Sequence, residues 1–127
     1  AQSKLANLYF AYELQRRLAA AGDNVISVAA HPGIATTELS RYLPRALVLL
    51  TPLFQPLFNT AAQGAWPTLC AATRPDVRGG DYYGPSKRRE TAGPAVKVKS
   101  TGRSHDRAVA RELWDLSIAM TGVDPAL

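Results

Sequence analysis

Residues 24–37 read NVISVAAHPGIATT, and this stretch decides the fold. Asn24 to Ala30 is a short run with β-branched residues and no clean alternation. That pattern predicts a strand covered on both faces, as in a parallel sheet. The run stops at His31-Pro32-Gly33. Upstream, residues 3–21 read as a helix: Leu5, Leu8 and Tyr12 recur at spacings of three and four, as do Leu14 and Leu18. Tyr9 and Phe10 widen the apolar surface nearly all round, which predicts a helix buried on most faces. Gly22 stands where a left-handed cap residue ends a helix. Helix, tight turn, buried strand and Pro-Gly turn form an αβ unit. In open α/β sheets the ligand sits beyond the carboxyl ends of the strands, so the Pro-Gly turn is the first place to look for function.

Downstream, residues 38–59 are amphipathic to apolar, and Pro44, Pro52 and Pro56 divide them into short helices. Thr60 to Thr73 reads as a helix with Thr60 as its cap and Gln63 completing a capping box. Ala61, Ala65, Leu69 and Ala72 share one face of it, and Pro67 conflicts with it. Gly79-Gly80 followed by Asp81 to Pro85 predicts a turn and a short strand. Residues 86–103 are basic, contain Gly93, Pro94 and Gly102, and read as a surface loop. Ser104 to Met120 reads as a last helix, capped by Ser104, striped by Val109, Leu113, Leu116 and Met120, and stopped by Gly122. The expected fold class is α/β, with about two strands and four or more helices.

The chain has 127 residues, 46% apolar and 20% charged. That balance suits one small globular domain and excludes a disordered class. It is short for a complete dinucleotide-binding fold, which needs two βαβ halves. Cys70 is the one cysteine, so no disulfide framework and no thiolate metal cluster is expected. A reducing, cytoplasmic setting fits that usage. The opening AQSKLANLYF lacks the layout of a secretory signal and reads as a cut end. The longest apolar stretch, Leu47 to Phe58, is broken by Pro52 and Pro56 and falls short of the ~18 residues of a membrane span.

The net charge of +5 is uneven. Residues 74–111 hold ten Lys or Arg against four acids, a balance of +6, and the rest sums to −1. Such a run is either a solvated loop or a surface for phosphates and acidic partners. Ser104-His105-Asp106 contains the residue types of a hydrolase triad, but consecutive residues on a helix do not face one another. His31 and His105 lack cysteine partners at metal-ligand spacing, so no metal is expected. Gly79-Gly80 lacks the spacing of a phosphate loop.

The stretch QSKLANLYFAYELQRRL, followed by VISVAAHPGIATTEL, resembles the short-chain dehydrogenase/reductase family. The resemblance is to its retinol dehydrogenase-like and protochlorophyllide reductase-like branch. QGAWPTLCAAT, GGDYYGP and ARELWDLSIAMTG are similar to the same branch in the same order. The likeness covers nearly the whole chain and fits the C-terminal half of the family's fold. It implies the C-terminal part of a Rossmann-type doubly wound parallel sheet, with residues 1–127 forming part of a single dinucleotide-binding domain.

By that resemblance, Lys4 matches the lysine of the family's Tyr-x-x-x-Lys helix, and the tyrosine would stand one position before Ala1. A cation one helical turn from a phenol favours the phenolate and lowers its pKa from about 10. A tyrosine so shifted can exchange a proton with an alcohol or a carbonyl. Lys4 would also bond the nicotinamide ribose. Pro32, Gly33, Ile34 and Thr37 match Pro-Gly-x-x-x-Thr and would line the nicotinamide of NAD or NADP. Main-chain groups at Ile34 would meet the carboxamide, and the Thr37 hydroxyl the carboxamide or pyrophosphate. Residues 39–59 would be the substrate lid, with Leu39, Tyr42, Leu43, Leu47 and Phe54 making it apolar. An apolar lid implies a lipophilic alcohol or carbonyl substrate. The other reading of that segment is a partner or membrane-surface patch.

The implied activity is hydride transfer between a nicotinamide and a lipophilic alcohol or carbonyl compound. The isolated chain is expected to be inactive. Its strands need neighbours to satisfy their edges, so the expected partners are the N-terminal half of the same protein or a second copy. Two alternatives remain: a truncated, non-catalytic interaction module, and an anion- or nucleic-acid-binding module using residues 74–111. Nucleic-acid binders interleave aromatics with basic residues. Tyr82 and Tyr83 precede the Lys87-Arg88-Arg89 run and none lies within it, so no nucleic-acid partner is expected.

Overall fold

The computed structural model describes residues 2–34 and 59–127. In chain order these residues form α1 (Gln2–Ala21), β1 (Ala29–Ala30), α2 (Ala61–Thr73), β2 (Tyr82–Lys87), β3 (Ala92–Lys97), a 3₁₀ turn (Gly102–His105) and α3 (Arg107–Thr121). They fall into two compact units. The first comprises residues 1–29, 77–81 and 99–127, and the second residues 30–76 and 82–98.

The first unit is built on α1 packed against α3. Tyr9, Tyr12 and Leu18 from α1 are buried with Ala110 and Trp114 from α3. Phe10 stacks on Trp114 at 5.2 Å, and the Arg17 guanidinium lies over the same indole at 4.7 Å. Glu13 is buried as well and is held by Arg16 at 2.6 Å and Arg17 at 2.9 Å. Burial pushes its carboxyl pKa up, but hydrogen bonds from the two guanidinium groups outweigh that and hold it below the usual value. Gly22 closes α1 with φ +70, and Asp23 N–H reaches back to Leu18 O at 3.0 Å, the expected left-handed cap. The helix is not covered on most faces. Phe10 is 44% exposed, and Leu5 and Leu8 are half-buried.

α3 begins two residues later than its sequence suggests. Its cap is Asp106, whose carboxylate accepts from the N–H groups of Ala108 and Val109 at 3.0 and 3.2 Å. Ser104 is buried in the 3₁₀ turn instead, where its hydroxyl donates to Thr101 O at 2.6 Å and accepts from the Ser100 hydroxyl at 2.7 Å. The buried stripe is Ala110 and Trp114, while Val109, Leu116 and Met120 are exposed. Both stripes have helical spacing. The stacked Trp114 decides between them, because it contributes the largest apolar area. Gly122 ends the helix at φ +70, as expected.

In the first unit, the segment leading into β1 pairs with residues 80–81. Gly80 N–H donates to Ser27 O at 2.8 Å and Ala29 N–H to Asp81 O at 2.9 Å. Both partners advance together, so this pairing is parallel. Regular strand is confined to Ala29–Ala30, far shorter than the run read from Asn24. Ser27 N–H is held by a side chain, Gln15 Oε1, at 2.7 Å, and Val25 and Ile26 are exposed.

In the second unit the sheet order is β1-β2-β3, and β2 pairs with β3 antiparallel. Part of the expected 86–103 surface loop is therefore strand: Ala92–Lys97 pairs from Lys97 against Tyr83 to Ala92 against Lys87. Gly93 and Pro94 hide it, since both are unusual in strands. They are accommodated by a register irregularity between Pro85 and Lys87. The helix α2 packs over β2 and β3. Its capping box forms as read, with Gln63 N–H on Thr60 Oγ1 at 3.2 Å and Thr60 N–H on Gln63 Oε1 at 2.9 Å. Its buried face is Gly64 and Pro67, not Ala61, Ala65, Leu69 and Ala72, all of which are exposed. A smooth, small-residue face lets the helix approach the sheet closely, and Pro67 is among the most buried side chains of the unit.

Candidate functional site

The turn after β1 is the best-defined polar feature of the second unit. His31 N–H donates to Tyr83 O at 2.9 Å, which continues the strand pairing. Pro32 has no N–H. Its carbonyl accepts from Asn59 Nδ2 at 3.2 Å. Gly33 sits at φ +71, and a Cβ there would lie 2.5 Å from Thr91 O and 2.7 Å from Pro85 Cγ. Glycine is thus required twice, by conformation and by space. Ile34 N–H donates to Thr91 O at 2.9 Å, and Ile34 O accepts from Asn59 N–H at 3.1 Å.

Asn59 is the centre of this arrangement. It is 2% exposed, and besides Pro32 and Ile34 it reaches β3, where its Oδ1 accepts from Gly93 N–H at 2.9 Å. Sequence reading passed over Asn59, because every one of these bonds is to a residue far away in the chain. Opposite it, the hairpin between β2 and β3 turns through Arg88, Arg89 and Glu90 at φ 53, 54 and 63. Three successive non-glycine residues in the left-handed region are costly. The turn delivers the Thr91 carbonyl to Ile34 and the Glu90 carboxylate to within 3.2 Å of His31 Nε2.

Of the residues assigned by resemblance, Pro32, Gly33 and Ile34 form this turn. Lys4 is exposed on the first turn of α1, in the first unit. Thr37, Leu39, Tyr42, Leu43, Leu47 and Phe54 lie outside the described residues. Among the described residues there is no cluster of three or more His, Cys, Asp or Glu that would hold a metal. No helix among them is long and apolar enough to cross a membrane.

The chain is 40% identical to retinol dehydrogenase 14 of Mus musculus, over 96% of this chain and 35% of that protein. It is 35% identical to the polyprenol dehydrogenase of Homo sapiens, over 97% of this chain and 36% of that protein. A short-chain dehydrogenase/reductase of Colletotrichum higginsianum is 36% identical over 92% of the chain and 28% of its own length. These relatives are short-chain dehydrogenase/reductases, and the chain resembles that family over nearly its whole length. No family model matches it.

A crystal structure of an uncharacterized protein from Mycobacterium paratuberculosis superposes with a TM-score of 0.70 at 37% identity. It covers 97% of this chain and 38% of that one. The chain therefore has the α/β, Rossmann-type fold expected of it. The chain spans about a third of the length of the curated relatives it matches.

Proposed function

We propose that this chain forms part of an NAD(P)-dependent oxidoreductase acting on a lipophilic alcohol or carbonyl compound, and that residues 32–37 line the nicotinamide. The observation that carries this reading is the turn itself. Its backbone dipoles are fixed by hydrogen bonds from Asn59 and to Thr91. Preorganised main-chain groups of this kind bind and orient without reorganising.

The residues present fit a nicotinamide carboxamide. Ile34 is 41% exposed, its N–H is held by Thr91, and its carbonyl keeps a second lone pair beside the Asn59 bond. Ile34 would accordingly act as an acceptor for the carboxamide NH₂, and Thr37 would supply a hydroxyl. The bound nicotinamide supplies the hydride. Lys4 would hold the ribose and stabilise the phenolate of a tyrosine four residues before it, which gives or takes the hydroxyl proton of the substrate. The apolar 39–59 segment would exclude water from that exchange and select a lipophilic substrate. The similarity to retinol and polyprenol dehydrogenases supports that substrate class.

The test is NAD(P)H consumption by the longer protein that carries this sequence, assayed with long-chain aldehydes. Turnover abolished by Lys4→Met and largely kept by Lys4→Arg supports the reading. Absence of turnover with either cofactor and any such aldehyde contradicts it.

A further inference from the structure

The donors of the Pro32 turn can be accounted for one by one. His31 N–H is held by Tyr83 O, Pro32 has no donor, and Ile34 N–H is held by Thr91 O. Gly33 N–H remains, and it is held by a side chain: it donates to His31 Nδ1 at 3.3 Å. The geometry is local. An extended residue before proline places its side chain beside the N–H two residues on, the arrangement that aspartate and asparagine use in Asx-turns.

The ring has little freedom to do anything else. Its Nε2 end presses on Gly84, where a Cβ would collide with it. One side lies against the Tyr82 ring at 5.1 Å and a tilt of 37°. Glu90 stands 3.2 Å from Nε2 but off the axis of a hydrogen bond, so Nε2 is buried without a hydrogen-bond partner. Nδ1 must present a lone pair to accept from Gly33, which puts the proton of the neutral ring on Nε2. A ring packed by Gly84 and Tyr82, and aimed at one main-chain N–H, is built to hold the turn.

We propose that His31 is a positioning residue, whose Nδ1 lone pair fixes the Gly33 N–H and with it the backbone that lines the nicotinamide. The first half of this statement concerns the turn alone. The second half rests on the dehydrogenase reading given above.

Two substitutions of nearly equal size separate the acceptor from the bulk of the ring. His31→Asn keeps an acceptor within reach of Gly33 N–H, and His31→Leu does not. Both vacate the same space over Gly84, so any packing loss is shared. The first readout is hydrogen exchange of the Gly33 amide in the full 127-residue chain, which needs no cofactor. Exchange at least tenfold faster in His31→Leu than in His31→Asn is expected. Equal exchange in the two variants overturns the proposal.

The second readout is made on the longer protein, as KM for NAD(P)H against kcat. The expected result is a rise of about tenfold in cofactor KM for His31→Leu, with kcat changed less and His31→Asn close to wild type. A merely structural role would move both variants together. If Gly33 exchange separates the variants and cofactor KM does not, the turn-holding role stands and its link to the nicotinamide is refuted. If the longer protein turns over no substrate at all, the dehydrogenase reading falls, while the exchange result still decides the role of His31 in the turn.

Discussion

Asn59 donates its side-chain amide to the Pro32 carbonyl at 3.2 Å while its Oδ1 holds Gly93 N–H at 2.9 Å. One buried residue thereby joins the turn after β1 to the strand β3, two segments that share no regular pairing. Asn59→Ala would leave both main-chain partners without that bond. A buried donor or acceptor left unsatisfied costs about 1–3 kcal/mol. Urea unfolding of the variant should show a loss of about 2 kcal/mol or more, and Asn59→Asp, which sets an oxygen against the Pro32 carbonyl, should do no better. A loss under about 0.5 kcal/mol would contradict the bonding described.

Gly22 and Gly33 share a left-handed φ, +70 and +71, yet differ in surroundings. A Cβ at Gly22 meets nothing within 4 Å, whereas one at Gly33 meets Thr91 O at 2.5 Å and Pro85 Cγ at 2.7 Å. Gly22→Ala should cost about 1–2 kcal/mol, the left-handed penalty alone. Gly33→Ala should cost clearly more, because main chain must also move. Equal losses in thermal or urea melts would contradict this placement of Thr91.

Glu13 gives a pH dependence of definite sign. Its carboxyl is held below the ordinary value of 4.5 because the hydrogen bonds of Arg16 and Arg17 outweigh the opposing effect of burial. A carboxyl whose folded pKa is depressed stabilises the fold fully above its unfolded pKa. That contribution is lost as pH falls through the folded pKa. The stability gap between wild type and Glu13→Gln should therefore be constant at neutral pH and shrink as pH drops below about 4.5. A gap that widens on acidification would contradict the pairing.

The cap of α3 separates two neighbouring residues. Asp106→Ala removes the acceptor for Ala108 and Val109 N–H and should cost about 1 kcal/mol, with Asp106→Asn restoring most of it. Ser104→Ala should not be rescued by any capping residue, since the Ser104 hydroxyl is bonded to Ser100 and Thr101. Denaturant midpoints of the three variants check this.

Much of this was legible in the chain, and the failures have physical causes. Capping boxes, left-handed glycines and the Pro-Gly turn depend on neighbours in sequence, and Thr60, Gln63, Gly22 and Gly122 all stand as read. Which face a helix buries depends on what packs against it. On α2 the small residues Gly64 and Pro67 face the sheet, and an apolar count could not rank them above Leu69. On α3 two stripes had equal periodicity, and the stacking partner Phe10 lies about a hundred residues away. The strand β3 was masked by Gly93, Pro94 and Lys97, and its pairing with β2 overrides that local preference. Of the candidate site, Pro32 to Ile34 was visible, while Asn59, Thr91 and the bond from Gly33 to His31 needed the folded backbone.

The central claim is that this sequence forms the nicotinamide wall and supplies the lysine of a dehydrogenase. The most direct measurement follows deuterium from C4-labelled NAD(P)H into the alcohol formed from a long-chain aldehyde. It compares the longer protein carrying this sequence with its Lys4→Met variant. The account predicts label in the carbinol carbon for wild type and a rate lower by about a hundredfold or more for the variant. No transfer of label by the wild-type protein, or transfer undiminished by Lys4→Met, would contradict it.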